Sequence, residues 1–343
     1  MNIIGITMGC PASIGPELLL KYFSQEPRTA NISPVVLGDI GVLQRCATDL
    51  GFTHIQILPW AIGDIAPLRV RNTMPVLNLS ELAAKEITWG IPNLATGKAM
   101  ARYITEGVKM AQKGLLDGIT TCPISKFSLN EAGYAFPGHT EMLAELTNST
   151  NFAMMMAGDR LKVTLVTIHT SLASVPTMLT KESIVKMITT THNALSIDLG
   201  IDDPKIAVAA LYPHGGEKLL FGSEEETIIE PAVIEAANNG IAVSGPFPPD
   251  TVFFKAAAGD YDAVVCMYHD QGLIPFKLLH FDDGVNITLG LPIVRTSVDH
   301  GTAYDIAGKG IADPSSLTEA IQLAGMISEN RKAYAKDKGK NHG

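Results

Sequence analysis

Asn2-Ile-Ile-Gly-Ile-Thr-Met8 runs directly into Gly9-Cys-Pro-Ala-Ser-Ile-Gly-Pro-Glu17. The first part is a short apolar run bounded by turn residues, the pattern of a buried strand. The second part is a Gly- and Pro-rich turn leading into a helix that begins near Pro16. Such a turn either presents backbone N–H groups to a ligand or is a plain tight connection, and the residues fit both.

The same alternation continues outward. Residues 33–39, 117–125, 162–170, 204–213 and 261–270 read as buried strands rich in Val, Ile and Thr. Helical patterns cover 97–114, 181–199 and 227–239. Thr180 stands three residues before Ser183 as an imperfect capping box, and Ser223 and Glu226 have the Ser-x-x-Glu relation. Alternation of this kind predicts an α/β protein with a largely parallel or mixed sheet. No internal repeat or low-complexity tract interrupts it, and the polar stretch from Lys332 is expected to fray.

A chain of 343 residues is long for one core, so two domains or one two-lobed unit is expected. Mean hydropathy is +0.18, yet no apolar run approaches the roughly 20 residues that span a bilayer. The start lacks a basic region before its apolar residues and reads as a strand rather than a signal peptide, which predicts a cytoplasmic protein. Net charge of −9 argues against nucleic acid or an anionic membrane as partner. An anionic substrate then needs a local cationic cluster. Cys10, Cys46, Cys122 and Cys266 are far apart and form no C-x-x-C pair, which argues against a disulfide framework or structural zinc and fits a reducing compartment.

Three histidines follow predicted strands: His169, His214 and His269. Ligands gather at the carboxyl ends of strands in open α/β sheets, where three imidazoles converge readily on one divalent ion. Taken singly, each fits a capping or core role equally well. Asp270 either orients an imidazole or caps the turn that follows. Pro137-Gly-His139-Thr140-Glu141 puts a His and a hydroxyl at a helix start, a natural anion seat. Lys277 lies in a mostly apolar stretch, and Asn286 and Arg295 flank Thr288-Leu-Gly-Leu-Pro292. A Lys, an Arg, a His and polar donors suit a phosphate or carboxylate.

No G-x-G-x-x-G stands between a strand and a helix, so a Rossmann site is not signalled. Instead, Asp299-His-Gly-Thr-Ala-Tyr-Asp-Ile-Ala-Gly-Lys-Gly-Ile-Ala-Asp-Pro314 is similar to the HGSAPDIAGK-type loop of isocitrate and isopropylmalate dehydrogenases. That loop cradles the adenosine of the dinucleotide.

Together PGHTE, MMMAGD, LYPHGGE, GPFPPDT, MYHDQGLIPFK and VNITLGLPIVRTSVDHGTA resemble the 4-hydroxythreonine-4-phosphate dehydrogenase family of pyridoxal phosphate biosynthesis. The resemblance runs from the first strand to about Ala324. It implies an isocitrate/isopropylmalate dehydrogenase-like fold, with two α/β domains and an interdomain cleft. The dinucleotide side is expected at 1–126 plus 290–343, and the metal, substrate and dimerisation side at 127–289. His169, His214 and His269 match the family's metal ligands; His139, Thr140, Lys277, Asn286 and Arg295 match its substrate contacts. NAD or NADP is expected at His300, Gly301, Thr302, Ala303 and Asp305, with one divalent ion (Zn, Mg or Co) per site. A homodimer with sites shared between subunits follows from the same resemblance.

The implied reaction is oxidation of 4-phosphooxy-L-threonine to a 3-oxo acid, which decarboxylates to 3-amino-2-oxopropyl phosphate. A bound ion lowers the hydroxyl pKa and polarises the ketone, and stabilising the developing oxyanion is expected to dominate. Asp250 and Asp270 are the candidate proton acceptors. Relatives acting on 4-phospho-D-erythronate, 4-phospho-D-threonate or a dihydrodiol dicarboxylate would share these motifs. A metal-dependent hydrolase would use the three histidines and an Asp to activate water, but leaves the 299–308 loop without a role. The first turn departs from the family's usual GDPAGIGPE at Cys10 and Ser13, and a thiol there is expected to be oxidation-sensitive. The family's PHAGEGG segment here reads Pro213-His-Gly-Gly-Glu-Lys218.

Overall fold

The computed structural model describes residues 1–28, 31–64, 67–136 and 138–340. Pro137 of the PGHTE motif therefore lies outside the described residues, as do the last three of the chain. The chain folds into two compact units: residues 1–150 with 291–329, and residues 151–290 with 330–343.

In the first unit the elements run β1 (Asn2–Thr7), α1 (Gly15–Ser24), β2 (Ile32–Gly38), α2 (Ile40–Asp49), β3 (Gln56–Pro59), β4 (Thr73–Asn78), α3 (Leu94–Gln112), β5 (Gly118–Thr121), α4 (Lys126–Glu131) and α5 (His139–Leu146). The second holds β6 (Ala153–Ala157), β7 (Lys162–Leu165), α6 (Val175–Met178), α7 (Lys181–Asn193), β8 (Ile206–Ala209), α8 (Glu230–Asn238), β9 (Val243–Phe247), α9 (Pro249–Ala257), β10 (Ala263–Cys266), α10 (His269–Leu279) and β11 (Val285–Leu289). The chain then returns to the first unit with β12 (Arg295–Val298). It ends in α11 (Ser315–Lys340).

Strands of the first unit pair in the order β3-β4-β2-β1-β5-β12, all parallel. β1 and β2 are buried almost throughout, which is why they read as unbroken apolar runs rather than alternating ones. In the second unit the order is β11-β6-β7-β10-β8-β9. The β11–β6 and β6–β7 pairs are antiparallel and the other three parallel. Its core brings Val163 and Leu165 against Val264, Leu273 and Phe276.

The α/β reading holds, with four corrections. The first boundary falls after Thr150 rather than near 126, because α4 and α5 both pack on α3; His139 and Thr140 thus belong to the first unit. The helix from Lys181 finishes as a π-helical stretch, Ala194–Asp198, and the one before Asn239 begins as another, Glu225–Ile229. Thr180 and Ser183 do form the reciprocal capping box, but Ser223 and Glu226 do not: Ser223 N–H donates instead to Glu224 Oε2 at 2.9 Å. Finally, α11 continues through Lys332 to Lys340. It is anchored where Arg331 Nε and Nη2 grip the Asp198 carboxylate at 2.6 and 2.8 Å.

Candidate active site

In the first unit, β5 and β12 run parallel with Thr121 opposite Ser297, so their carboxyl ends lie side by side. The connections that leave them enclose an open cavity of about 190 Å³, lined by Cys122, Lys126, His139, Ser297, His300 and Gly301 among others. This is where an open parallel sheet collects ligands. Arg295, at the start of β12, is only 2% exposed, and its Nη2 donates to Thr121 Oγ1 at 2.8 Å. Burial pulls the guanidinium pKa down to about 9, with Glu141 acting in the opposite sense. Arg295 therefore stays charged at neutral pH.

His139 opens α5 behind an extended Gly138. Burial, then the charges of Arg295 and Lys126, hold its pKa well below the ordinary histidine range, so the ring is neutral. Its Nε2 is buried without a hydrogen-bond partner among the described residues. An unmet buried polar atom costs about 1–3 kcal/mol, a cost that a ligand's polar atom would remove. Thr140 follows in the first turn, half-buried.

The 299–308 loop lies against the first turn. Ile14 N–H donates to Thr302 O at 3.4 Å, and Tyr304 Oη donates to Cys10 Sγ at 3.3 Å. Further on, the buried Glu17 accepts from Gly310 N and Ala312 N at 3.2 and 2.7 Å. His300 and Gly301 thereby reach the cavity. Thr302 and Ala303 turn back toward the first helix, and Asp305 is exposed. Cys10 is fully buried and its pKa is raised by that burial. The thiol is shielded rather than oxidation-sensitive, which corrects the expectation from its position in the turn.

In the second unit the three histidines follow β7, β10 and β8, which are adjacent parallel strands. Thr167 Oγ1 donates to Met267 O at 2.7 Å, tying the ends of β7 and β10. Gln271 does the same for β10 and β8, accepting from Met267 N at 2.7 Å and donating to Ala210 O at 2.6 Å. The His169 and His269 rings stand 6.0 Å apart between centroids. Two imidazoles sharing one zinc at about 2.0–2.1 Å from each nitrogen have centroids roughly 5–6 Å apart, so this pair fits an ion. Nδ1 of His269 contacts Asp270 Oδ1 at 2.7 Å, which leaves Nε2 as the nitrogen available to an ion.

His214 is exposed on a turn of its own. From His214 to Leu219 every φ is positive, and the buried Glu225 steadies the turn's entry by accepting from Leu211 N and Tyr212 N at 3.0 and 2.8 Å. Among the described residues, no three His, Cys, Asp or Glu side chains of this one chain stand close enough to hold an ion. The pair is assembled and the third histidine is not. Asp250 is exposed at the start of α9, which packs against the His214 turn. Lys277 and Asn286 lie in α10 and β11; Asn286 Oδ1 is buried without a partner among the described residues.

The family described as pyridoxal phosphate biosynthetic protein PdxA matches residues 30–324. A 4-hydroxythreonine-4-phosphate dehydrogenase from Desulforapulum autotrophicum is 52% identical over 324 residues, covering 94% of this chain and 95% of that one. The chain belongs to the PdxA family. A further relative, from Oceanobacillus iheyensis and provisionally named a D-threonate 4-phosphate dehydrogenase, is 42% identical, covering 94% of this chain and 96% of its own. The crystal structure of a 4-hydroxythreonine-4-phosphate dehydrogenase from Klebsiella pneumoniae superposes with a TM-score of 0.87 at 39% identity, covering 96% of this chain and 100% of that one. The two-unit α/β fold is thus the family's, and the chain is an oxidoreductase of the dehydrogenase class.

Two features of this PdxA-family site escaped sequence reasoning. Lys126 stands just past the predicted strand 117–125, and the strand-end rule applied to the histidines would have found it. Glu225 carries no such signal; only its burial distinguishes it from the neighbouring Glu224 and Glu226. Among the described residues no helix is long and apolar enough to cross a membrane.

Proposed function

We propose that this PdxA-family chain oxidises 4-phosphooxy-L-threonine with NAD or NADP to a 3-oxo acid that loses CO2, giving 3-amino-2-oxopropyl phosphate. The observation that carries the proposal is the open cavity of the first unit, with His139 on its wall and the buried Arg295 cation tied to the neighbouring Thr121, in a chain whose net charge is −9. Charged Arg295 binds the substrate's phosphate, and neutral His139 and Thr140 add hydrogen bonds to it. Lys277 and Asn286 contribute further substrate contacts. His300, Gly301, Thr302, Ala303 and Asp305 receive the dinucleotide, and His169, His214 and His269 hold one divalent ion (Zn, Mg or Co).

When bound, these groups supply a hydride acceptor and Lewis-acid polarisation of the hydroxyl. Asp270 orients His269 through Nδ1. Asp250, exposed beside the His214 turn, takes the hydroxyl proton as the C–H electron pair leaves as hydride. The carboxylate C–C bond then breaks, and its electron pair moves onto the new ketone before protonation at carbon.

A homodimer with shared sites fits two features of the second unit. Leu278 and Phe281 are 84% and 73% exposed, an apolar face that association would cover. The three-histidine set is also incomplete within one chain, as expected if a ligand crosses over. The four described cysteines are free and buried, which fits the cytoplasm.

The second reading is oxidation of D-threonate 4-phosphate, favoured by the Oceanobacillus iheyensis relative. Assaying NADH and NADPH formation with both phosphorylated acids and with 4-phospho-D-erythronate decides between them. The amino acid should be used with a kcat/KM at least about 10-fold above the others, about 1.4 kcal/mol of transition-state discrimination. Preference for D-threonate 4-phosphate would replace the first reading with the second. Phosphate release without cofactor reduction would sink both and point to the hydrolase.

A further inference from the structure

We infer that Lys126 is the second cation of the substrate's phosphate site, acting beside Arg295 from within the first unit. The inference rests on the function proposed above.

Lys126 is the first residue of α4, and Ser125 fixes that helix start by accepting from Ser128 N at 3.1 Å. Its side chain lines the same cavity as His139, Ser297 and His300. A methyl group placed on Gly138 would lie 3.6 Å from Lys126 Cε and 4.0 Å from Nζ, so the ammonium sits against the backbone that leads into His139. Among the described residues no ion pair engages it. The nearby carboxylate of Glu141, whose Oε2 would be 3.3 Å from that methyl, acts electrostatically on Arg295 instead.

Charge balance favours a second cation in this cavity. A phosphate monoester carries about −1.5 to −2 at neutral pH. His139 is neutral there, so Arg295 alone leaves about a third to a half of that charge uncompensated. Lys277 belongs to the second unit, whereas Lys126 lines the same cavity as His139 and as Thr121, the residue to which Arg295 Nη2 donates. An exposed lysine is ordinarily a solvated surface charge. Its place on the cavity wall and its effect on His139 separate this one from that description.

Lys126→Met keeps the aliphatic stem and removes the charge. It should raise KM for the phosphorylated substrate about 10- to 100-fold, with KM for NAD changed less than about twofold. Lys126→Arg should stay within about threefold of the parent in both. The loss should disappear with 4-hydroxy-L-threonine, which lacks the phosphate. Independently of turnover, the His139 imidazole followed by NMR should titrate at higher pH in Lys126→Met, because one neighbouring positive charge is gone. If Lys126→Met leaves substrate KM unchanged while Arg295→Met raises it, the inference is wrong and the phosphate site stands. A loss confined to NAD would overturn it in favour of a cofactor contact. If neither variant alters substrate KM, the phosphate site itself is misassigned and the inference fails with it.

Discussion

The candidate sites of both units lie by the carboxyl ends of parallel strands, but their residues are held with very different rigidity. In the first, Arg295 is buried in a strand and tied to Thr121, and Glu17 and Tyr304 pin the neighbouring loop. In the second, the side chains of His269 and Asp270 are 40% and 72% exposed, and His214 rides a turn that is left-handed along its whole length. The residues proposed for the phosphate in the first unit are thus held in place by the fold. The histidines proposed as metal ligands in the second are held less firmly.

The largest expected effect tests that contrast directly. His214→Ala and His269→Ala should each cut turnover more than about 100-fold and weaken Co2+ binding measured by calorimetry. Phosphate binding to the first unit, read as protection from thermal unfolding, should be unaffected. Full activity after exhaustive chelation would remove the metal from the scheme. Loss of phosphate protection in His214→Ala would show that the two regions are not the separable sites described.

How much of this was open to sequence reasoning depended on where the determining contacts lie. The first strand, and those at Lys162–Leu165, Ile206–Ala209 and Ala263–Cys266, were legible because they are apolar and fully or nearly fully buried. β12 was not: Arg-Thr-Ser-Val is polar, and it is buried only because Thr296 pairs with Thr120 at 2.9 Å and Arg295 with Thr121. Ala-Met-Met-Met-Ala of β6 lacks β-branched residues altogether. The strand-end histidines were legible one by one. That β7, β10 and β8 are neighbours is a matter of topology, which no local pattern encodes. The Ser223–Glu226 relation misled because Glu225, two residues on from Ser223, is drawn inward to the backbone of 211–212 and the helix opens as a π turn.

A middle-sized effect separates the units by pH. The ordinary histidine pKa is about 6.5, and His139 in the folded first unit lies well below that. Above pH ~6.5 the ring is neutral whether folded or unfolded and has no effect on stability. As pH falls through that value the unfolded chain takes up a proton that the folded unit refuses, so stability is lost on the acid side. At pH 5.5 the loss is on the order of 1 kcal/mol from this one group. His139→Asn should be less pH-dependent than the parent by that amount when urea unfolding at pH 7.5 and 5.5 is compared. An identical acid slope in both proteins would mean that His139 is protonated in the fold and contributes its own charge to the anion site.

The smallest effect lies in the strained turn. Left-handed backbone costs an L-residue roughly 1–2 kcal/mol in the helical limit, and Leu219, with φ of 71°, is exposed and so has little packing to offset that cost. Glycine adopts the conformation freely but loses about 0.5–1 kcal/mol more chain entropy on folding. Leu219→Gly should therefore stabilise the second unit by about 0.5–1 kcal/mol, a rise of roughly 2 °C in its melting temperature for a unit of this size. Gly216→Ala should do the opposite. Its φ is 78°, and its new Cβ would sit 2.7 Å from the buried Glu225 Oε2. That clash would push the carboxylate off Leu211 and Tyr212 and loosen the entry to His214, so Co2+ affinity should fall along with stability. If Leu219→Gly raises stability but weakens Co2+ binding, the left-handed path is needed to hold His214 in place, and the strain serves ligand presentation. If stability rises and Co2+ binding is untouched, Glu225 alone sets the turn, and the contrast between a rigid first unit and a less firmly held second one narrows to the histidines themselves.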